Sequence, residues 1–133
     1  MANQLTDTIL MVSPDTFGFN AQTAGSNSFQ VNTSESPGQI RDKAMDEFNR
    51  MVNLLQKNGV NVLVMGNDTE EDVPDAVFPN NWFATYEDGT VILFPMLTPN
   101  RRLERQMDIG ESVFEPSDFK VTKLIDLTPY ENK

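Results

Sequence analysis

Apolar residues along this chain fall into short runs separated by long polar stretches, and the spacing inside each run predicts an element. Residues 9–12 read Ile-Leu-Met-Val and end at Ser13-Pro14. Four contiguous apolar residues before a proline predict a buried strand. Residues 15–38 are rich in Asn, Ser, Thr and Gly, with Phe17, Phe19 and Phe29 scattered among them. They predict a long loop, and a loop of that length in a compact domain is usually functional or mobile. From 39 to 58 the period changes, and Ala44, Phe48, Met51, Val52 and Leu55 recur on one helix face. Lys43 with Glu47, and Asp46 with Arg50, are spaced to pair on the other face. Pro37-Gly38 lies just outside the expected start, and Gly59 suits the left-handed position after the end. Residues 60–65 form a strand-like run, so strand, helix and strand in succession predict an α/β unit.

The second half is more broken. Residues 66–74 form an acidic loop with Asp68, Glu70, Glu71 and Asp72. Residues 76–78 and 82–86 are expected as short strands around Pro79-Asn80-Asn81, and Asp88-Gly89 turns the chain into a further strand at 91–94. Asp-Gly between apolar runs is a strong hairpin signal. Residues 95–100 interrupt the pattern, 101–107 are expected to begin a second helix, and 120–127 alternate as a strand. The closing Pro-Tyr-Glu-Asn-Lys has no visible cap. It reads either as a frayed end or as a chain interrupted between modules.

Composition narrows the chemistry. The 133 residues suffice for one domain with its own core. A net charge of −10 repels phosphate backbones and anionic lipid, so no nucleic-acid or membrane partner is expected. The sequence contains no cysteine and no histidine. Disulfides, zinc thiolates and cysteine nucleophiles are therefore excluded from it, together with the commonest acid–base residue. No cofactor is implied. The opening residues lack the basic and apolar regions of a signal peptide, and no apolar run is long enough to span a membrane, so the expected location is cytoplasmic.

Three clusters could carry function. In the first, Asp75 follows a proline, and Asn80 and Asn81 stand between an apolar segment and Trp82. Paired amides can read an amide-like or urea-like group, while Pro-Asn-Asn is also good turn chemistry. In the second, Arg101, Arg102 and Arg105 cluster in an otherwise acidic chain. A guanidinium fork can hold a carboxylate, while surface arginines at a helix start often do no more than stay solvated. The third, the acidic stretch from Asp68 to Asp75, lacks the alternation and central glycine of a calcium loop and reads as solvated, so no metal site is expected.

Taken in order, the segments MVSPDTFGFNAQTAGSNSFQ, NGVNVLVM, PDAVFPNNWF, DGTVILFPM and PNRRLER resemble the amidinotransferase/deiminase, or pentein, superfamily. The nearest branch in this comparison is that of citrulline hydrolases and arginine-deiminase-related proteins. The resemblance spans residues 9–131. It implies a ring of five ββαβ modules, of which this chain would supply about two as part of a single α/β propeller domain. It also implies attack by a cysteine on a guanidino or ureido carbon, with a histidine handling protons and a covalent intermediate that is hydrolysed or transferred. The expected substrate is an amino acid of the arginine or citrulline class. Asp75 matches an acidic residue at the amino-acid end of the substrate. Asn80 and Asn81 stand where related dimethylarginine hydrolases carry Glu-Asp. Arg101 or Arg102 matches a carboxylate-binding arginine.

Two departures from the family pattern matter. Asn in place of an acid suits a neutral ureido group better than a cationic guanidinium, because a buried cation favours a carboxylate partner. The absent Cys and His leave the covalent mechanism without its nucleophile, so the chain alone is expected to be inactive. The alternative is a non-catalytic binding or interaction module, associating with other copies through exposed module edges.

Overall fold

A computed structural model describes residues 6–66, 70–106, 109–115 and 117–132. Asp68 of the acidic loop and Met107, at the end of the expected second helix, lie outside the described residues. The fold is mixed α/β with two small sheets and, among the described residues, no closed barrel. None of their helices is long and apolar enough to cross a membrane.

Strand β1 (Thr8–Val12) pairs in parallel with β2 (Asn61–Met65), with Val12 opposite Met65. The helix α1 (Pro37–Lys57) connects them. It starts two residues earlier than the periodicity suggests, because Ser36 caps it. Gln39 N donates to Ser36 Oγ at 3.3 Å, and Ser36 N donates to Gln39 Oε1 at 3.0 Å. This reciprocal box satisfies two otherwise open donors, and Pro37 occupies the first turn, where its missing N–H costs nothing. Gly59 follows the helix at φ 82°, as its position predicts. Two details of the helix differ from expectation. Met51 is 51% exposed, and Ile40 and Met45 join Ala44, Phe48, Val52 and Leu55 on the half-buried face. Lys43 pairs with Glu35 ahead of the helix, and Arg50 donates to the Asp46 carbonyl.

The second sheet has the order β3-β4-β5, with β3 (Phe83–Thr85) antiparallel to β4 (Thr90–Leu93) and β5 (Lys123–Asp126) parallel to it. The expected strand at 76–78 is instead a run of turns. Ala76 N bonds Val73 O, Phe78 N bonds Asp75 O and Asn81 N bonds Phe78 O, so these backbone groups are satisfied locally. Residues Pro79–Asn81 complete the run as a 3₁₀ turn. The expected second helix shortens to one turn, α2 (Pro99–Arg102). Leu103 N and Glu104 N bond carbonyls three residues back, and this tighter pattern ends it. A π-helical turn at Gly110–Phe114 follows.

The core lies around the second sheet. Trp82 is 1% exposed and packs on Phe83 with ring centroids 4.5 Å apart. Phe83 meets Phe114 edge-on, and Phe114 meets Phe119, so the aromatic side chains join the sheet to the π turn. Val12 and Met65, at the ends of β1 and β2, join the same cluster. In contrast, no residue of α1 is fully buried.

The two left-handed glycines should respond differently to alanine. At Gly59 an added Cβ meets nothing within 4 Å, so Gly59→Ala should cost only the backbone strain, about 1–2 kcal/mol. At Gly89, φ 80°, the same atom would lie 2.3 Å from the Lys120 carbonyl oxygen and 2.9 Å from Thr122. Gly89→Ala should therefore cost about 3 kcal/mol or more and loosen the β4–β5 junction. Urea unfolding of the two variants side by side tests this; equal losses would contradict it.

Candidate functional site

Three segments that leave the carboxyl ends of strands converge on one cleft of about 430 Å³. The loop after β1 brings Thr23, Ser26 and Asn27, the turns after β2 bring Asp75 and Asn81, and the segment after β4 brings Met96, Leu97, Thr98 and Arg101. Carboxyl ends of strands in α/β folds are where loops gather around ligands.

Asp75 is 6% exposed. Its Oδ2 accepts from Asn20 Nδ2 at 2.7 Å and from Thr23 Oγ1 at 3.1 Å, and lies 3.8 Å from Arg101 Nε. Asn20, 1% exposed, is the hub of the loop. Its Oδ1 accepts from Asn100 Nδ2 at 2.8 Å and Gln22 N at 3.0 Å, and its backbone oxygen accepts from Gln30 Nε2 at 2.8 Å. A single amide thus ties the loop after β1 both to Asp75 and to the residue preceding Arg101.

Arg101 is itself held. Its Nε and Nη2 fork onto the two oxygens of Glu104 at 2.8 and 3.0 Å, and its Nη1 donates to Asn81 Oδ1 at 2.9 Å. Glu104 is 2% exposed. Burial pushes its carboxyl above the ordinary value, more strongly than the bonds and charge of Arg101 pull it down. Nearby, Thr98 Oγ1 and Asn100 Oδ1 are buried without a protein partner. Thr98 is the residue before α2, yet its hydroxyl does not cap the helix.

The structure thus brings together Asp75, Asn81 and Arg101 from the residues singled out in the sequence. Asn80 is exposed on the 3₁₀ turn and does not line the cleft. Arg102 points elsewhere. Its Nε donates to the Met96 carbonyl at 2.9 Å, and its Nη2 donates to the Leu97 carbonyl at 3.1 Å and to Asn132 Oδ1 at 2.8 Å. Adjacent helical positions face about 100° apart, so two neighbouring arginines seldom serve one pocket. Asn20, Asn100 and Glu104 escape sequence reading, although the i,i+3 spacing of Arg101 and Glu104 is a visible pairing signal.

Glu104 is the most sensitive of these positions. Glu104→Ala should destabilise by about 3–5 kcal/mol, because it strands a largely buried guanidinium. Because the folded-state pKa is raised, the ionised form is disfavoured by folding. Stability should therefore fall as pH rises from the ordinary carboxylate value through that of Glu104 in the folded chain. Glu104→Gln should remove that component from a pH series of urea unfolding curves. A wild-type minus variant difference that is flat with pH would contradict the assignment.

The model of the eukaryotic N,N dimethylarginine dimethylhydrolases matches residues 13–133, which include every residue of the cleft. No curated protein and no solved structure matches the chain. The matched span takes in most of the motifs that carry the pentein resemblance, and with the clustered Asp75 and Arg101 it leads to one conclusion: the chain belongs to the N,N dimethylarginine dimethylhydrolase family, guanidino-group hydrolases of the pentein superfamily.

Proposed function

We propose that these residues form the substrate-recognition part of a cysteine-dependent hydrolase acting on the guanidino or ureido group of an arginine-like amino acid. The observation that carries this reading is the convergence of Asp75, Asn81 and Arg101 on one cleft. Around it stand two carboxylates, Asp75 and Glu104, against one guanidinium. The surplus negative charge suits the α-ammonium of an amino acid. Since the sequence has no Cys and no His, the nucleophile and the base come from outside these 133 residues. The chain then supplies about two of the five modules of the propeller.

The local hydrogen bonds refine the substrate. Asn81 Oδ1 already accepts from Arg101, whose charge disfavours a second cation there, while Asn81 Nδ2 is a donor suited to a ligand carbonyl. A guanidinium has only donors to offer, whereas a ureido group has a carbonyl oxygen. Asn81 therefore favours citrulline over arginine. Arg101 keeps no open fork, because Nε and Nη2 are committed to Glu104. Its contribution to a substrate carboxylate is its charge and one remaining Nη1–H. Arg102 is committed to backbone carbonyls and is not assigned to the substrate.

Purified to homogeneity, the 133-residue chain should release neither ammonia nor amine from citrulline, arginine or dimethylarginine. Turnover by that sample would refute the placement of the nucleophile. In a complete enzyme carrying Cys and His, Asn81→Asp should move the ratio of kcat/KM values towards arginine by about tenfold, equivalent to ~1.4 kcal/mol. An unchanged ratio would remove Asn81 from the specificity argument.

A further inference from the structure

The last described residues of the chain are bound to the cleft wall. Glu131 follows the 3₁₀ turn Thr128–Tyr130, which leaves β5. Its Oε1 accepts from the backbone N–H of Met96 at 2.9 Å, and Arg105 engages both of its oxygens. Arg102 Nε lies 3.4 Å from Oε2. Arg102 in turn holds the carbonyls of Met96 and Leu97. Those two residues line the cleft together with Asp75 and Asn81. Met96 is thus gripped at both its N–H and its C=O, by a carboxylate and by the guanidinium beside that carboxylate.

We infer that Glu131 is a positioning residue, which acts through Arg102 and the Met96 amide to fix the Met96–Leu97 wall of the cleft and the orientation of α2. Arg101 and Arg102 are neighbours on α2, so the contacts that hold Arg102 also set the direction in which Arg101 reaches the cleft. A segment that looks like an uncapped end in the sequence is thereby a latch. The charged groups facing Glu131 are Arg102 and Arg105, and Asp126 on β5 also feels the Arg105 charge. Burial alone would raise the Glu131 carboxyl. The hydrogen bonds from Arg105 and Met96 N–H, with the charges of both arginines, outweigh it and hold the carboxyl below its ordinary value. The latch is therefore intact near neutral pH and is released as pH falls through that lowered value.

The experiment is a pH titration of the ¹⁵N-labelled chain followed by NMR, with Glu131→Gln, Glu131→Asp and, as a control outside the latch, Asp126→Asn. In the wild type, the amide signals of Met96 and Leu97 should shift together in one step at acid pH. Glu131→Gln should abolish that step and displace both signals already at neutral pH. Asp126→Asn should retain it, and Glu131→Asp should restore part of it. A second readout is the affinity of the cleft for L-citrulline and L-arginine, which Glu131→Gln should weaken roughly three- to tenfold, the worth of one hydrogen bond. Unmoved Met96 and Leu97 signals in a folded Glu131→Gln would overturn the inference. So would displaced signals with unchanged affinity, since the wall would then not shape the cleft. If the wild-type chain binds neither amino acid, the substrate reading of the cleft fails, and the acid step at Met96 and Leu97 alone decides for or against the latch.

Discussion

The geometry of the cleft depends on one buried ion pair. Glu104 and Arg101 meet through two parallel N–H···O bonds with the carboxylate almost wholly removed from water. Such a pair gains little net stability, since desolvation offsets most of the attraction, but its geometry is strict. The remaining contacts of Arg101 are placed by that fork. Arg101 Nη1 reaches Asn81, Nη2 reaches the Asp75 carbonyl at 3.4 Å, and Nε stands near the Asp75 carboxylate. A lysine in place of Arg101 could not satisfy these directions at once, because an ammonium lacks the planar array of donors.

The polar network has a second, neutral centre in Asn20. It is an amide among charged groups, donating to Asp75 and accepting from Asn100. An amide in this place gives both a donor and an acceptor without adding charge, so it joins a carboxylate to another amide without electrostatic penalty. The long loop after β1, which has no regular structure, is tied together by this residue, whose backbone oxygen accepts from the N–H groups of Thr23 and Ala24 and from Gln30 Nε2.

The elements built on local signals were legible in the sequence. The apolar runs of β1 and β2, the Asp-Gly hairpin and the body of α1, though not its Ser36 cap, follow from period and turn chemistry. Asp75 and the Arg101–Arg102 pair could be named because they sit in motifs, but not which of the two arginines reaches the cleft. What was not legible depends on contacts between residues far apart in the chain. Asn20 and Asp75 are separated by 55 positions, and Glu131 and Arg105 by 26. No local pattern marks such partners. Met51 illustrates a subtler limit. Its spacing fits the apolar face of α1, yet its side chain is left half exposed, which period alone does not foretell. The expected strand at 76–78 failed because its backbone bonds locally in successive turns, which bury Ala76 in the core and leave Phe78 46% exposed. Three adjacent apolar residues there mark turns and not extended structure.

Helix α1 is well capped, yet none of its residues is fully buried. Its helical form thus rests on local terms, while the aromatic cluster beneath the second sheet carries the burial that makes unfolding cooperative. Two levels of protection against hydrogen exchange are the expected consequence: the amides of β4 should be freed only with the core, and those of α1 by a smaller opening. A protease would meet the same division, finding α1 before it finds Asp75.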